Sequence, residues 1–190
     1  MNLDRYVKKR NFSKTTEPAS TVHSNKGQLR FVVQRHHASR LHYDFRLEID
    51  GVLKSWAIPK GPSLNPKDKR LAIMVEDHPY NYRTFEGVIP AGEYGGGVVH
   101  IFDEGVYEAV SGGNERALKK GLHAGNLKFI LHGKHLKGEF ALVKLKNASE
   151  NNAWLLIKHH DEFAITVPYC IENEVSSKIK KEGTDFKRNI

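Results

Sequence analysis

"HHASRLHYDFRLEIDG", residues 36–51, decides how the rest of the chain reads. From Leu41 onward it alternates: Leu41, Tyr43, Phe45 and Leu47 fall on one parity, His42, Asp44, Arg46 and Glu48 on the other. Successive side chains of an extended strand point to opposite faces, so this segment is a strand with one apolar face and one face of ionisable groups. Asp50-Gly51 follows, and an Asp-Gly pair between two such runs signals a hairpin, because both central residues of a type I′ turn need positive φ.

Working outward, "QLRFVVQ", "GVLKSWAIP", "LAIMVE", "GGVVHIFDEG", "VYEAV", "NLKFIL", "GEFALVKL" and "AWLLIKH" read as further short strands, mostly parted by glycine-containing turns. About eight strands at this spacing predict a mainly β fold, a compact antiparallel barrel that is closed or nearly so. Only "NERALKKGL", residues 114–122, reads as a short helix, with Gly121 as its stop. Residues 1–26 lack either period and form a basic, loop-rich arm; the barrel domain spans 27–168; residues 169–190, ending in "SSKIKKEGTDFKRNI", read as a charged, solvated tail or linker.

The 190 residues suit one domain with a substantial core. No apolar run approaches the ~20 residues of a membrane helix, and "MNLDRYVKKRNF" carries charges where a signal peptide has its apolar segment, so a cytoplasmic protein without membrane partners is expected. The lone Cys170, in what reads as the end of a packed strand ("VPYCI"), excludes an internal disulfide and a multi-thiolate zinc site. The net charge of +8 points to an anionic partner, nucleic acid first, and residues 1–30 alone hold seven basic residues against two acidic ones.

The polar face of the 41–49 strand carries the chemistry. His42 and Asp44, two apart, point the same way, and imidazole with carboxylate suits a divalent transition metal. His36 lies just upstream, where a fold-back of the chain would supply a third ligand. Arg46 continues the face, and "KSWAIPKGPSLNPKDKR" adds Lys54, Lys60, Lys67, Lys69 and Arg70 around loop-shaping prolines. A cation flanked by guanidinium and ammonium groups is the equipment of phosphoryl chemistry. "VEDHPYNYRTFEG" places Glu76, Asp77, His78 and Tyr82 in a loop with an X-Pro turn, where His78 taken alone reads as a turn-capping residue. The glycines of "PAGEYGGG" fit either close backbone approach or a plain turn, while His132, His135, His159 and His160 read as solvated surface.

Three stretches together, "HHASRLHYDFRLEIDGVLKSWAIPKGPS", "EDHPYNYRTFEGVIPAGEYGGG" and "WLLIKHHDEFA", resemble the 3'-phosphoesterase domain of bacterial DNA ligase D, the multi-function ligase of non-homologous end joining, over roughly residues 8–168. The resemblance implies a β-barrel with a concave polar surface, dependence on manganese, and healing of primer-strand 3' ends. A terminal ribonucleoside is removed, then the remaining 3'-phosphate, leaving a 3'-OH. It further implies metal ligands His36, His42 and Asp44, with His37 at a position that need not be histidine. Arg46 and His78 would hold the scissile phosphate and Tyr82 would complete the inner set. Arg10 and Glu17 would support substrate binding, and Lys60, Arg70 and Glu76 catalysis. Asn11 departs from the pattern, standing where an acidic residue is expected. The implied partners are ribonucleotide- or phosphate-terminated primer-template ends and ligase and polymerase domains in cis or trans; a monomer is expected. Two other readings share features of this sequence: a two-histidine, one-carboxylate iron oxygenase, and a non-catalytic nucleic-acid module.

Overall fold

The computed structural model describes residues 3–19, 27–146 and 151–188. In chain order it contains α1 (Asp4–Lys8), β1 (Arg30–His37), β2 (Leu41–Ile49), β3 (Val52–Ile58), β4 (Lys69–Met74), β5 (His78–Pro79), β6 (Gly87–Ile89), β7 (Gly97–Ala109), α2 (Glu115–Ala124), β8 (Asn126–His132), β9 (Lys137–Lys144), β10 (Ala153–Lys158) and α3 (Ser177–Arg188). Hydrogen bonding runs β1-β2-β3-β4-β10-β9-β8-β7, and β7 pairs back onto β1, so eight antiparallel strands close a barrel. The short β5 and β6 pair outside this circuit, on β3 and β7. Closure leaves the barrel without free edges.

The decisive strand behaves as its alternation requires. Tyr43, Phe45 and Leu47 point into the main core with Phe31, Val33, Trp56, Phe129, Phe140 and Trp154, all at most 2% exposed. The opposite parity of β2 lies under a second, smaller apolar cluster in which Tyr6 from the arm packs with Leu53, Tyr82, Phe85, Ile89 and Val99. The polar face is therefore roofed by α1 and by the 78–89 segment. The Asp50-Gly51 turn has φ of 57° and 69°, the left-handed pair that a type I′ hairpin demands.

Several expectations need correction. The described residues hold three α-helices rather than one. The middle helix runs through Gly121 to Ala124, and Gly125, at φ 72°, is the left-handed stop. Gly121 serves packing instead: a Cβ there would sit 2.8 Å from the Asn126 carbonyl. The charged tail is not a solvated linker. Ile171 and Val175 are buried in the main core, Ile179 packs against it, and α3 lies against β7 with Gly183 so close to the His37 imidazole that no side chain fits. With only two apolar residues, Ile179 and Phe186, in a lysine-rich stretch, this helix was hidden from a compositional reading. "VPYCI" forms no strand, since Pro168 lacks a ladder donor, and Cys170 is exposed. In the arm, Tyr6 is fully buried and donates its hydroxyl to the Pro18 carbonyl at 2.6 Å; residues 20–26 of the expected loop-rich arm lie outside the described residues.

Candidate metal and phosphate site

The β1–β2 register sets His36 opposite His42, Gln34 opposite Asp44, and Val32 opposite Arg46. Residues opposite one another in an antiparallel pair share a face, so the fold-back of the chain delivers His36 to the polar face of β2. One donor atom from each of His36, His42 and Asp44 lies within 4.8 Å of the other two.

Backbone carbonyls define the state of both imidazoles. His36 Nε2 donates to the Gly95 carbonyl at 2.8 Å, and His42 Nδ1 donates to the Arg40 carbonyl at 2.9 Å. A carbonyl can only accept, so these nitrogens carry protons, and in the neutral tautomers Nδ1 of His36 and Nε2 of His42 hold the lone pairs. Those two atoms face Asp44 at 3.5 and 3.6 Å, too far for good hydrogen bonds. Two oriented nitrogen lone pairs and one carboxylate form a donor set that fits a divalent transition metal.

Asp44 is kept ionised. Burial alone would raise its pKa, but the Arg46 guanidinium, with Nη2 3.0 Å from Oδ2, and the flanking His36 and His42 rings together outweigh it and hold the carboxyl well below the usual range. Arg46 is itself fixed on every side: Nε donates to Gln34 Oε1 at 2.7 Å, Nη1 to Ser55 Oγ at 2.9 Å, and its Cζ lies 4.7 Å from the Tyr82 ring centroid. These bonds occupy three of the five guanidinium protons, leaving two for an anion.

The second half of the site comes from the 76–82 segment. His78 lies on β5 opposite Leu53, not in a turn, and is buried. Its Nδ1 donates to the Glu76 carbonyl at 2.9 Å, and its Nε2 accepts from Arg10 Nη2 at 3.1 Å. Burial, together with the charges of Arg46 and Arg10, pushes its pKa well below the ordinary value, so the ring is neutral at pH 7. A protonation limb from His78 therefore falls below its ordinary ~6.5 rather than near it. Tyr82 packs edge-on against His78 at 4.8 Å and donates its hydroxyl to Glu17 Oε1 at 2.9 Å. Burial raises its pKa well above 10, so the hydroxyl keeps its proton.

The arm supplies the backing. Arg10 binds Glu17 at 2.8 Å and Glu76 at 3.3 Å, its guanidinium 3.9 Å from the Tyr6 ring, and Lys9 binds Glu76 at 3.0 Å. Arg10 and Glu17 thus stand behind His78 and Tyr82. Asn11 is exposed and spends its side chain on Ser13, shaping the turn that leads to Glu17. Lys60 and Arg70 are not drawn into this cluster by any contact among the described residues; they line a separate cleft of about 370 Å³ with Lys67 and Lys69, where Arg70 binds Asp68 at 2.8 Å and the Tyr169 carbonyl.

Sequence reasoning overlooked Gln34, Ser55 and Lys9, and the carbonyls of Arg40 and Gly95. Gln34 was findable, as it shares the parity of His36 two residues away. The carbonyls leave no trace in residue type.

The DNA Ligase D 3'-phosphoesterase domain family matches residues 34–144. The chain is 47% identical over 161 residues to the multifunctional non-homologous end joining protein LigD of Pseudomonas aeruginosa, covering 84% of this chain and 19% of that protein. It is 45% identical over 154 residues to the multifunctional non-homologous end joining DNA repair protein LigD of Mycobacterium tuberculosis, covering 80% and 19%. It is 40% identical over 162 residues to the LigD of Mycolicibacterium smegmatis, covering 84% and 21%. The chain thus spans about a fifth of the length of these relatives, and the matched residues include the β1–β2 face and the 76–82 segment just described. By that match the chain belongs to the DNA ligase D 3'-phosphoesterase family.

Proposed function

We propose that the protein is a metal-dependent hydrolase that heals DNA 3' ends, removing a 3'-terminal ribonucleoside and then the 3'-phosphate from a primer strand to leave a 3'-OH for end joining. The observation that carries this reading is the placement of three aligned metal donors, His36, His42 and Asp44, beside a buried Arg46 with protons to spare. A manganese ion held there would polarise a phosphate oxygen and increase the nucleophilicity of an attacking water. Arg46, anchored by Gln34 and Ser55, presents its remaining protons to a phosphate without reorganising. His78, neutral and with its Nδ1 proton given to the Glu76 carbonyl, presents an Nε2 lone pair that accepts from Arg10; in this state it would accept a proton from water or a substrate hydroxyl, not donate to a phosphate oxygen. Tyr82, still protonated, donates to Glu17 and screens the inner face from water.

The Lys60–Arg70 cleft and the exposed bases of the arm are suited to the duplex backbone, a role separate from chemistry. The two-histidine, one-carboxylate oxygenase reading shares the donor set but gives no role to the guanidiniums of Arg46 and Arg10 beside it. The test is a labelled primer-template with one 3'-terminal ribonucleotide, incubated with and without manganese and resolved on a gel. A phosphate-ended product followed by a hydroxyl-ended one, both abolished by chelator, is expected. Product formation in excess chelator, or oxygen uptake with iron and a 2-oxo acid in place of cleavage, contradicts the reading.

A further inference from the structure

Beside the site runs a second, larger groove of about 840 Å³ whose walls include Arg5, Lys8, Lys9, Asp77, Tyr94 and Asn152. Its carboxylates are already engaged: Glu76 by Lys9 and Arg10, Asp77 by Lys54 at 2.6 Å. Arg5 and Lys8 make no ion pair among the described residues, so the groove presents net positive charge.

Tyr94 stands between this groove and the metal donors. Its neighbour Gly95 offers the carbonyl that orients His36. On the other side, Lys9 lies with Nζ 4.3 Å from the Tyr94 ring centroid and donates to its hydroxyl at 2.9 Å, while the Arg10 guanidinium is 5.6 Å away. Tyr94 nevertheless stays 46% exposed, an aromatic ring left open at the edge of a cationic groove. Tyr94 belongs to neither apolar cluster of the described residues.

An open ring next to unpaired cations, one residue from a metal-orienting carbonyl, is the chemistry that recognises a nucleic-acid strand: the ring stacks a base while the cations follow the phosphates. Resting on the phosphoesterase reading of the adjacent site, we propose that the groove is a subsite for the trimmed strand itself, with Tyr94 stacking the nucleobase next to the scissile 3' phosphate and Arg5 and Lys8 holding the phosphates behind it. The strand end would then be unpaired for the last nucleotide or two where it crosses into the site. This contact is indifferent to base identity, because every base presents a π face.

The test places the fluorescent base 2-aminopurine at successive positions from the 3' end of a primer and titrates each with the full chain. Stacking predicts a fluorescence change greatest at the nucleotide adjoining the terminal phosphate. That change should persist in Tyr94→Phe and vanish in Tyr94→Ala, with affinity for primer ends falling roughly 5- to 100-fold in the alanine variant. The double variant Arg5→Ala/Lys8→Ala should weaken binding and flatten its salt dependence while keeping the position of the signal. Melting temperatures of all variants control for folding. An unchanged signal in Tyr94→Ala, or a signal with no positional maximum, overturns the subsite. A wild-type protein that gives the positional signal but no cleavage with manganese keeps the subsite and removes the phosphoesterase reading, so the two fail separately.

Discussion

Asp44 shows how the site divides its tasks. Its two oxygens face different groups: Oδ2 receives Arg46, and Oδ1 faces His42. Arg46→Ala therefore acts twice. On the proposed function it removes a phosphate donor, a loss of roughly 10²–10³ in rate, and it frees the proposed ligand carboxylate, which on the scale of outer metal contacts weakens cation binding about 10-fold or more. His42→Ala and Asp44→Ala are expected to lose saturable manganese binding and both cleavage steps together. Calorimetric metal titration on the three variants, run beside rate measurements, separates the patterns. If Arg46→Ala keeps full metal affinity and full rate, the guanidinium has no part in either task. Gln34→Ala gives an intermediate case, because it loosens Arg46 without touching a ligand.

At the scale of elements, the arm is the informative one. Read as a sequence it is a loop with positive charge, and that reading misses its main job. Tyr6 is buried, Arg10 is neutralised by Glu17 and Glu76, and α1 covers the second cluster. Tyr6→Ala should cost roughly 3–5 kcal/mol of stability, as for other buried aromatics, and should reduce activity by freeing Arg10 and His78; chemical denaturation beside kinetics would measure both. Strands and their faces were legible because alternation and the Asp-Gly turn are local signals, and parity put His42 and Asp44 on one face; His36 needed a fold-back of the chain, which the β1–β2 register supplies. The docking of the arm and of α3 was not legible. Their apolar residues are few, and what makes Tyr6 or Ile179 part of a core is the surface they meet, which lies far away in sequence. For the same reason His78 read as a turn residue: only its pairing with Leu53 shows it to be inside.

Acid response belongs to the whole molecule. In the folded state the His78 ring is held neutral, and burial of Glu76 is outweighed by Lys9 and then Arg10, which lower its pKa. Asp161 and Glu172 are lowered as well, despite burial, by hydrogen bonds from Lys158 and from Arg35 and Tyr43 respectively. All four groups take up protons more readily when unfolded. Stability is thus greatest above the unfolded values, begins to fall as pH drops below about 6.5, where unfolded histidine charges, and falls more steeply below about 4.5 as carboxylates protonate. Thermal melts from pH 8 to pH 3.5 should trace this curve, and Glu76→Gln should flatten its lower limb; a melting temperature independent of pH would contradict the burial of these groups.

The net charge of +8 acts at the same scale. Binding to primer-template ends should weaken steeply with salt, by about one unit of log–log slope per phosphate contacted, and with little preference for base sequence. On the proposed function, the polar face of β2 is a metal centre for phosphate-ester chemistry at a strand end. Its most direct test is one titration: manganese added to metal-free protein, with bound ion and cleavage of a 3'-ribonucleotide primer followed in the same samples. Cleavage is expected to rise with occupancy of a single site, and Asp44→Ala to show neither. Cleavage that proceeds before any manganese is bound, or that survives in Asp44→Ala, would contradict it.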